Sequence, residues 1–438
     1  MGRLDVSTSR HLGPAASLLL VSALSSADAI ASPVEAAPAE AAPAEAAPAE
    51  AAPAEAEPAK AESAKAEPAK SEGPKIEAKF GRGIRAETAD GDYAIRIGAR
   101  AQLRSTVVAP DADDADPSAD FQVRRLRLSV EGHALDELVT YKIQLAFTPL
   151  DQDPVAPSAV RDAQVFIHPL RDLNLRVGQG KIPFGRQRVV SSGSQQFVDR
   201  SVVVGELNLD RDVGIVAYSD DLGGLDEWLG YSVSVFGGDG RNRVSGGYGL
   251  LYAARFELRP LGGAPELDEP DLKRSPKPRL YFAFAGAFNH QSDRERSTIG
   301  PVYETGPWAD YAHGAFDWRF KWKGLSLTGE LLLRKALEET NTAEVDGELV
   351  TDTARSGVGG FVQAGQMLDD TWEIAARYGA MNPLGDAASE FPTEREVGGA
   401  LSAYFVGHAL KLQADYHYLF EPGGDGRHQA RLQMQIIP

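Results

Sequence analysis

The stretch Ala312-His313-Gly314-Ala315-Phe316-Asp317-Trp318-Arg319-Phe320-Lys321-Trp322 decides the fold. Its even positions, Ala312, Gly314, Phe316, Trp318, Phe320 and Trp322, are small or apolar, and His313, Asp317, Arg319 and Lys321 fall between them. A strand sends successive side chains to opposite faces, so a period of two gives one greasy and one wet face. The pattern recurs from about Tyr93 to the C-terminus. Tyr93, Ile95, Ile97, Ala99, Ala101 and Leu103 alternate with Arg96, Arg100, Gln102 and Arg104, and Val139, Tyr141, Ile143, Leu145 and Phe147 with Thr140, Lys142 and Gln144. In a soluble sandwich the apolar face would be the interior. In an outer-membrane barrel it is the exterior, and the charged face lines a water-filled lumen.

The connections decide between the two. Links near His133 to Leu138, Pro169 to Asp172, Lys323 to Gly324, Leu368 to Thr371 and Gly407 to His408 are short. Those near Thr106 to Asp120, Thr148 to Ser158, Pro183 to Asp210, Asn289 to Pro307, Ala336 to Ser356 and Met381 to Glu394 are long. Such alternation is expected when one rim carries tight periplasmic turns and the other carries external loops. Pro260 to Pro278 is long where a short link is due, and reads as an elaborated periplasmic turn or a missed strand pair. The count is about 16 strands over roughly 350 residues, the size that leaves an aqueous channel. Trp228, Trp322 and Trp372 each sit beside a predicted periplasmic turn, where an interfacial aromatic girdle belongs. The fold class is therefore all-β: a transmembrane antiparallel up-and-down β-barrel behind a disordered Ala/Pro/Glu-rich N-terminal linker.

Composition agrees with an envelope protein. The 438 residues are 43% hydrophobic, with no run of about 18 uncharged apolar residues beyond the N-terminus that a spanning helix would need. A mean hydropathy of -0.27 is what half-polar strands produce. With no cysteine there are no disulfide staples and no thiolate chemistry.

Arg3 and Arg10 precede the apolar run Ala15 to Leu24, and Ala27-Asp28-Ala29 or Ala29-Ile30-Ala31 offers a small-residue cleavage site. Residues 1–31 therefore read as a secretory signal peptide. There is no twin-Arg pair, and no cysteine follows the cleavage site. Residues 32–79 hold a five-residue repeat, AAPAE from Ala36 to Glu55, decaying to AEPAK and AESAK through Lys70. Proline recurs too often there for a continuous helix, and nothing is apolar enough to bury. It reads as a spacer with a reach on the order of 100 Å when extended, long enough for a cell-wall contact. Residues 80–438 form the barrel.

Catalytic motifs are missing: HExxH, GxSxG and GxxxxGK[ST] do not occur. Gly178-Gln179-Gly180-Lys181 lacks the upstream glycine and the Ser/Thr of a phosphate loop, and it ends a strand. The run Asp111, Asp113, Asp114 and Asp116 lacks the spacing of a Ca²⁺ loop and reads as a solvated acidic loop. No cofactor, metal or nucleic acid is implied, and the eight histidines offer no pairing with serine for a barrel-borne hydrolase.

Net charge is -18, yet the inward positions are basic. By strand parity they include Arg96, Arg100 and Arg104, then Arg125 and Arg127, then Lys142, Arg176, Arg255 and Arg259. Arg319, Lys321, Arg334, Arg377, Lys411 and Arg431 follow. Fewer acids share those faces: Glu131, Asp162, Glu257, Asp317, Glu330, Glu373, Glu396 and Asp415. Such a ladder can trade an anion's hydration for charge-assisted hydrogen bonds, provided the bases are not mostly paired to lumenal acids. Parity breaks between Val123 and Leu126, so a bulge near Arg124 is expected.

Leu175-Arg176-Val177-Gly178-Gln179-Gly180-Lys181-Ile182-Pro183-Phe184-Gly185, with Ser191-Ser192, Phe197-Val198-Asp199-Arg200-Ser201 and Arg211-Asp212-Val213-Gly214-Ile215, resembles the phosphate-selective porin O/P family. Val235-Phe236-Gly237-Gly238-Asp239-Gly240-Arg241-Asn242, Gln363-Ala364-Gly365 and Trp372-Glu373-Ile374-Ala375-Ala376-Arg377-Tyr378 are similar to further strands of that family. The resemblance implies a 16-stranded homotrimeric barrel in the outer membrane of a Gram-negative bacterium, whose third external loop folds inward to narrow the pore. That loop would be Pro183 to Asp210, which makes Lys181, Arg186, Arg188, Arg200 and Arg211 candidates for the constriction. Two departures stand out: Arg186-Gln187-Arg188 where the family often has an acidic position, and an end at Ile436-Ile437-Pro438 where barrels usually end in an aromatic residue.

The reading is a passive channel favouring small anions, phosphate or related oxyanions. Its anion-binding residues are Arg96, Arg100, Arg104, Arg125, Arg127, Lys142, Arg176, Lys181, Arg186, Arg188, Arg200 and Arg211. The alternative is a general diffusion porin with paired bases. An adhesion or anchoring role would rest on the linker.

Overall fold

The computed structural model describes residues 73–112, 115–244, 249–263, 267–385 and 391–438. The expected signal peptide, the repeat, and Asp113 and Asp114 lie outside them. A hairpin of β1 (Lys75–Lys79) and β2 (Gly83–Glu87) precedes β3 (Ala94–Pro110), β4 (Ser118–Ala134), β5 (Val139–Ala146), β6 (Val160–Leu170) and β7 (Leu173–Lys181). Then come β8 (Arg211–Ser219), β9 (Leu229–Phe236), β10 (Leu251–Leu258), β11 (Arg279–Ser292), β12 (Ala309–Trp322) and β13 (Leu325–Ala336). A second hairpin, β14 (Thr340–Val345) and β15 (Glu348–Thr353), leads to β16 (Gly357–Met367), β17 (Trp372–Pro383), β18 (Glu394–His408), β19 (Leu410–Phe420) and β20 (Gly426–Ile436).

The 16 strands β3 to β13 and β16 to β20 pair antiparallel in sequence order. β20 returns to β3, from Arg427↔Pro110 to Ile436↔Ala101, and closes the barrel. Closure leaves no strand edge in the apolar layer, where an unpaired backbone group would cost several kcal/mol. Below Ala101 the edge of β3 is covered instead by β2, with Ile84↔Ile97 and Glu87↔Ala94. Gly81 N donates to Ile437 O (3.1 Å), so the hairpin tip abuts the end of β20. β1 is exposed along its length, and Lys75, Glu77 and Lys79 give it the charged edge that discourages further pairing. The sequence reading placed this strand in the linker, ahead of its boundary at residue 80.

Burial runs inside out. Along β12, buried residues (Tyr311, His313, Asp317, Arg319, Lys321) alternate without a break with half-buried ones (Gly314, Phe316, Trp318, Phe320). Elsewhere Ile143, Ile215, Val233, Phe284 and Leu331 are exposed while Arg334, Arg377, Lys411 and Gln435 are buried. A lipid-facing wall around a polar interior requires this inversion. Trp228, Trp322 and Trp372 are likewise exposed beside the short turns. The expected bulge is present: between Gln102↔Arg125 and Leu103↔Val123 the residue Arg124 is skipped, which keeps Arg125 inside. Lys323 and Gly324, both at positive φ, make the two-residue turn that suits the twist of a tight hairpin.

A strand ladder closed on itself resists detergent until heated. Unboiled protein from outer membranes should therefore migrate differently from boiled protein on a denaturing gel. Recovery from the soluble periplasmic fraction, with no heat-dependent shift, would contradict the barrel.

Candidate functional site: the pore constriction

After β7 the chain turns into the lumen. Ile182 N donates to Asp210 O (3.0 Å), which zips the two ends of the 183–210 loop together. Ile182, Phe184, Val203, Val204, Leu207 and Leu209 are fully buried against Val216, Phe236 and Leu251 on one wall and Leu332, Phe361 and Met381 on another. This small apolar core inside a polar barrel explains why the loop folds inward. Two short helices, α1 (Arg186–Val189) and α2 (Val202–Leu207), lie within it, and Ser201 Oγ caps α2 by accepting from Val203 N (3.3 Å). The far wall completes the anchorage. Lys411 Nζ donates to Gln195 O (3.0 Å), Gln435 Nε2 to Gly193 O (3.1 Å), and Asp415 Oδ2 accepts from Val198 N (2.9 Å). Polar wall residues thereby satisfy a loop that has no secondary-structure ladder of its own.

The glycines of Gly178-Gln179-Gly180-Lys181 serve packing, not phosphate cradling. Gly178 has φ +115 and a Cβ there would lie 2.2 Å from Ala163 O; at Gly180 it would strike the Gln164 amide. Both permit the close approach of β7 to β6 and so aim Lys181 at the loop.

The sequence-predicted bases divide into three groups. Most meet carboxylates: Arg96 with Glu131 (3.4 Å), Arg104 with Asp199 (3.0 Å), Arg125 with Asp199 (3.4 Å), and Lys142 with Glu131 (3.7 Å). Arg127 grips Asp151 through both nitrogens (2.5 and 2.7 Å), Arg188 meets Asp210 (2.9 Å), and Arg211 bridges Asp162 (2.8 Å) and Asp210 (3.0 Å). Arg186 lies apart from the others, over the Tyr281 ring at 4.2 Å. Among the described residues, the remaining four are held only by uncharged oxygens. Arg100 donates to Ser191 Oγ and Ser192 Oγ (3.0 Å each), and Arg176 to Lys181 O (2.7 Å). Lys181 donates to Val189 O (2.6 Å) and Val190 O (3.1 Å), and Arg200 to Gln187 O (2.9 Å) and Val190 O (2.8 Å).

Between the loop and the β4–β8 wall lies a cavity of about 290 Å³, whose lining includes Arg127, Lys142, Arg161, Arg176, Lys181, Arg200 and Arg211 with Asp162 as the sole acid among the described residues, beside Ser191, Ser192 and Leu267. A second, of about 220 Å³, reaches from Arg100 and Arg127 past Arg96 towards the periplasmic hairpin at Arg82. Arg161 was missed by parity. The register shifts between Gln144 and Leu145 opposite it, so Arg161 and Asp162 are both buried although adjacent. On the loop, burial lowers the Arg200 guanidinium well below the arginine range, as do the like charges of Arg188 and Arg125. Burial alone would raise the Asp199 and Asp210 carboxyls. The arginines around them, Arg125 and Arg104 for Asp199 and Arg188 and Arg211 for Asp210, outweigh it and hold both well below the carboxylate range. Asp111 bonds Tyr418 OH (2.7 Å) and pairs with His428 (3.0 Å), and no group of metal-ligating residues occurs among the described residues.

No curated protein matches the chain. Among solved structures it is similar to Salmonella typhi OmpF in complex with daunomycin, with a TM-score of 0.53 at 12% identity, covering 80% of this chain and 100% of that one. It is also similar to the outer membrane channel DcaP of Acinetobacter baumannii, with a TM-score of 0.52 at 11% identity, covering 80% and 99%. At these identities the likeness carries the fold. The family of "Phosphate-selective porin O and P" matches residues 95–273, a span that contains the first barrel strands, the inward loop and the basic cavity. Residues 95–273 are thus similar to the phosphate-selective porin O and P family, and the closed 16-strand barrel is an outer-membrane β-barrel of the porin type.

Proposed function

We propose that the pore favours small anions, phosphate or related oxyanions, and passes them passively through each barrel of a homotrimer. The observation that carries this reading is the basic cavity lined by Arg176, Lys181 and Arg200, with Arg100 in the adjoining one; none of the four has a carboxylate within ion-pair distance among the described residues. A carbonyl or hydroxyl dipole fixes a cationic side chain without cancelling its charge, so the cavity keeps a positive field that narrow, low-dielectric walls concentrate. Arg100 beside two serine hydroxyls supplies the mixed donor set that suits a tetrahedral oxyanion. Several such sites in a row, none surrounding the ion, allow release as well as entry. Phosphate and the trimer are supported by family resemblance.

Reversal potentials in asymmetric KCl test the preference, which should have the sign of an anion current, and added phosphate should reduce the chloride current saturably. A second reading, the general diffusion porin, draws on the pairing of Arg104, Arg125, Arg127, Arg211, Arg377 and Arg431 with carboxylates. A reversal potential near zero would favour it.

A further inference from the structure

The link from β10 to β11 is long on the rim of short turns, and from Leu267 to Ser275 it rises into the lumen as a strap. Its root is pinned to the tight turn between β12 and β13. The Asp271 carboxylate accepts from Ser275 N (2.9 Å), Ser275 Oγ (2.7 Å) and Gly324 N (2.8 Å), and Ser275 O accepts from Lys323 N (2.9 Å). Lys321 Nζ donates to Asp268 O and Pro270 O, at 2.8 Å each. At the top sits Glu269, 3% exposed beneath the inward loop. Its N–H donates to Ser194 O (2.9 Å), and its carboxylate accepts from Gln196 N (2.9 Å), Gln187 Nε2 (3.1 Å) and Gln363 Nε2 (3.1 Å). An element rooted on the periplasmic side thus grips the loop that enters from the external side. Leu267 points elsewhere: it is 52% exposed and lines the basic cavity with Lys181, Arg200 and Arg211.

An uncharged, non-hydrogen-bonding side chain among cations contributes nothing to binding an anion; it takes up room. We propose that the strap is a second constriction element that sets the size limit of the pore, with Leu267 narrowing the passage and Glu269 as the positioning residue that locks strap to loop. This does not depend on ion preference. Fixed charge governs the sign of the current, whereas cross-section governs its size and the largest solute admitted. The two therefore separate experimentally.

The test uses the purified porin in planar bilayers and in vesicles swollen with uncharged sugars. Leu267→Trp should lower single-channel conductance roughly twofold and Leu267→Gly should raise it, with reversal potentials unchanged. Replacing residues 261–277 by an Asn-Gly turn should raise conductance and admit larger sugars. Glu269→Gln puts an amide against the Gln187 and Gln196 donors, so the strap loosens and the open current becomes noisy. A merely structural strap would shift thermal stability in that variant while leaving current and sugar cut-off alone. If the shortened chain does not assemble, the single substitutions decide: parental conductance in both Leu267 variants overturns the proposal.

Discussion

Replacing Lys181 and Arg200 together by glutamine should lower the anion-over-cation permeability ratio roughly sevenfold. An ion passing about 7 Å from a unit charge gains roughly 0.6 kcal/mol in water-like dielectric, cut to about half by physiological salt. Two charges act on anion and cation with opposite sign, so the difference reaches about 1.2 kcal/mol, a ratio of roughly sevenfold. Glutamine is chosen because both side chains also donate to carbonyls of the loop, at Val189, Val190 and Gln187. A glutamate there would set acceptor against acceptor and could displace the loop, whereas an amide still donates. Arg171→Gln is the control: it is exposed at the rim and paired to its neighbour Asp172. Reversal potentials in asymmetric KCl that do not move in the double variant would transfer the argument to the general diffusion porin.

Glu206→Ala should release the inward loop. Glu206, at the end of α2, meets Arg334 (2.7 Å), Arg296 (3.0 Å) and Arg355 (3.5 Å), and Arg334 is fully buried. Removing one partner of a buried pair typically costs about 3–5 kcal/mol, because the remaining charge is left uncompensated in low dielectric. Conductance should rise, added protease should cut within residues 183–210, and the temperature at which the gel mobility changes should fall. Glu206→Gln, which keeps an acceptor, should lose less. Parental protease resistance in the alanine variant would show that the apolar contacts and the remaining hydrogen bonds hold the loop without Glu206.

The wall of the barrel was legible because a strand between two media must alternate, and the parity break at Arg124 was legible for the same reason. The pairing of the bases was not. Asp151, Asp153, Asp199 and Asp210 lie in loops that have no period, and they reach arginines far away in sequence, as Arg294 reaches Asp153. For these loop aspartates parity sees only the arginine side of the pair. β1, β14 and β15 were missed because none of their residues is buried, so no apolar face marks them. The strap showed only as a length misfit, since its order comes from Asp271 and Glu269 bonding to distant backbone and amide groups.

The division of β3 between two partners bears on how the barrel finds its register. A wall of alternating side chains tolerates a two-residue slip of β20 along β3, since such a slip keeps every face correct. The hairpin of β1 and β2 removes that freedom. It is local in sequence, so it can form on β3 without waiting for the C-terminal strand to cross the large loop that closure demands. Once in place it leaves only Ala101–Pro110 open, and its tip at Gly81 meets Ile437 as a physical stop. The N-terminus of the barrel therefore acts as a ruler for its last strand, measuring the seam by contact where side-chain pattern alone would be ambiguous.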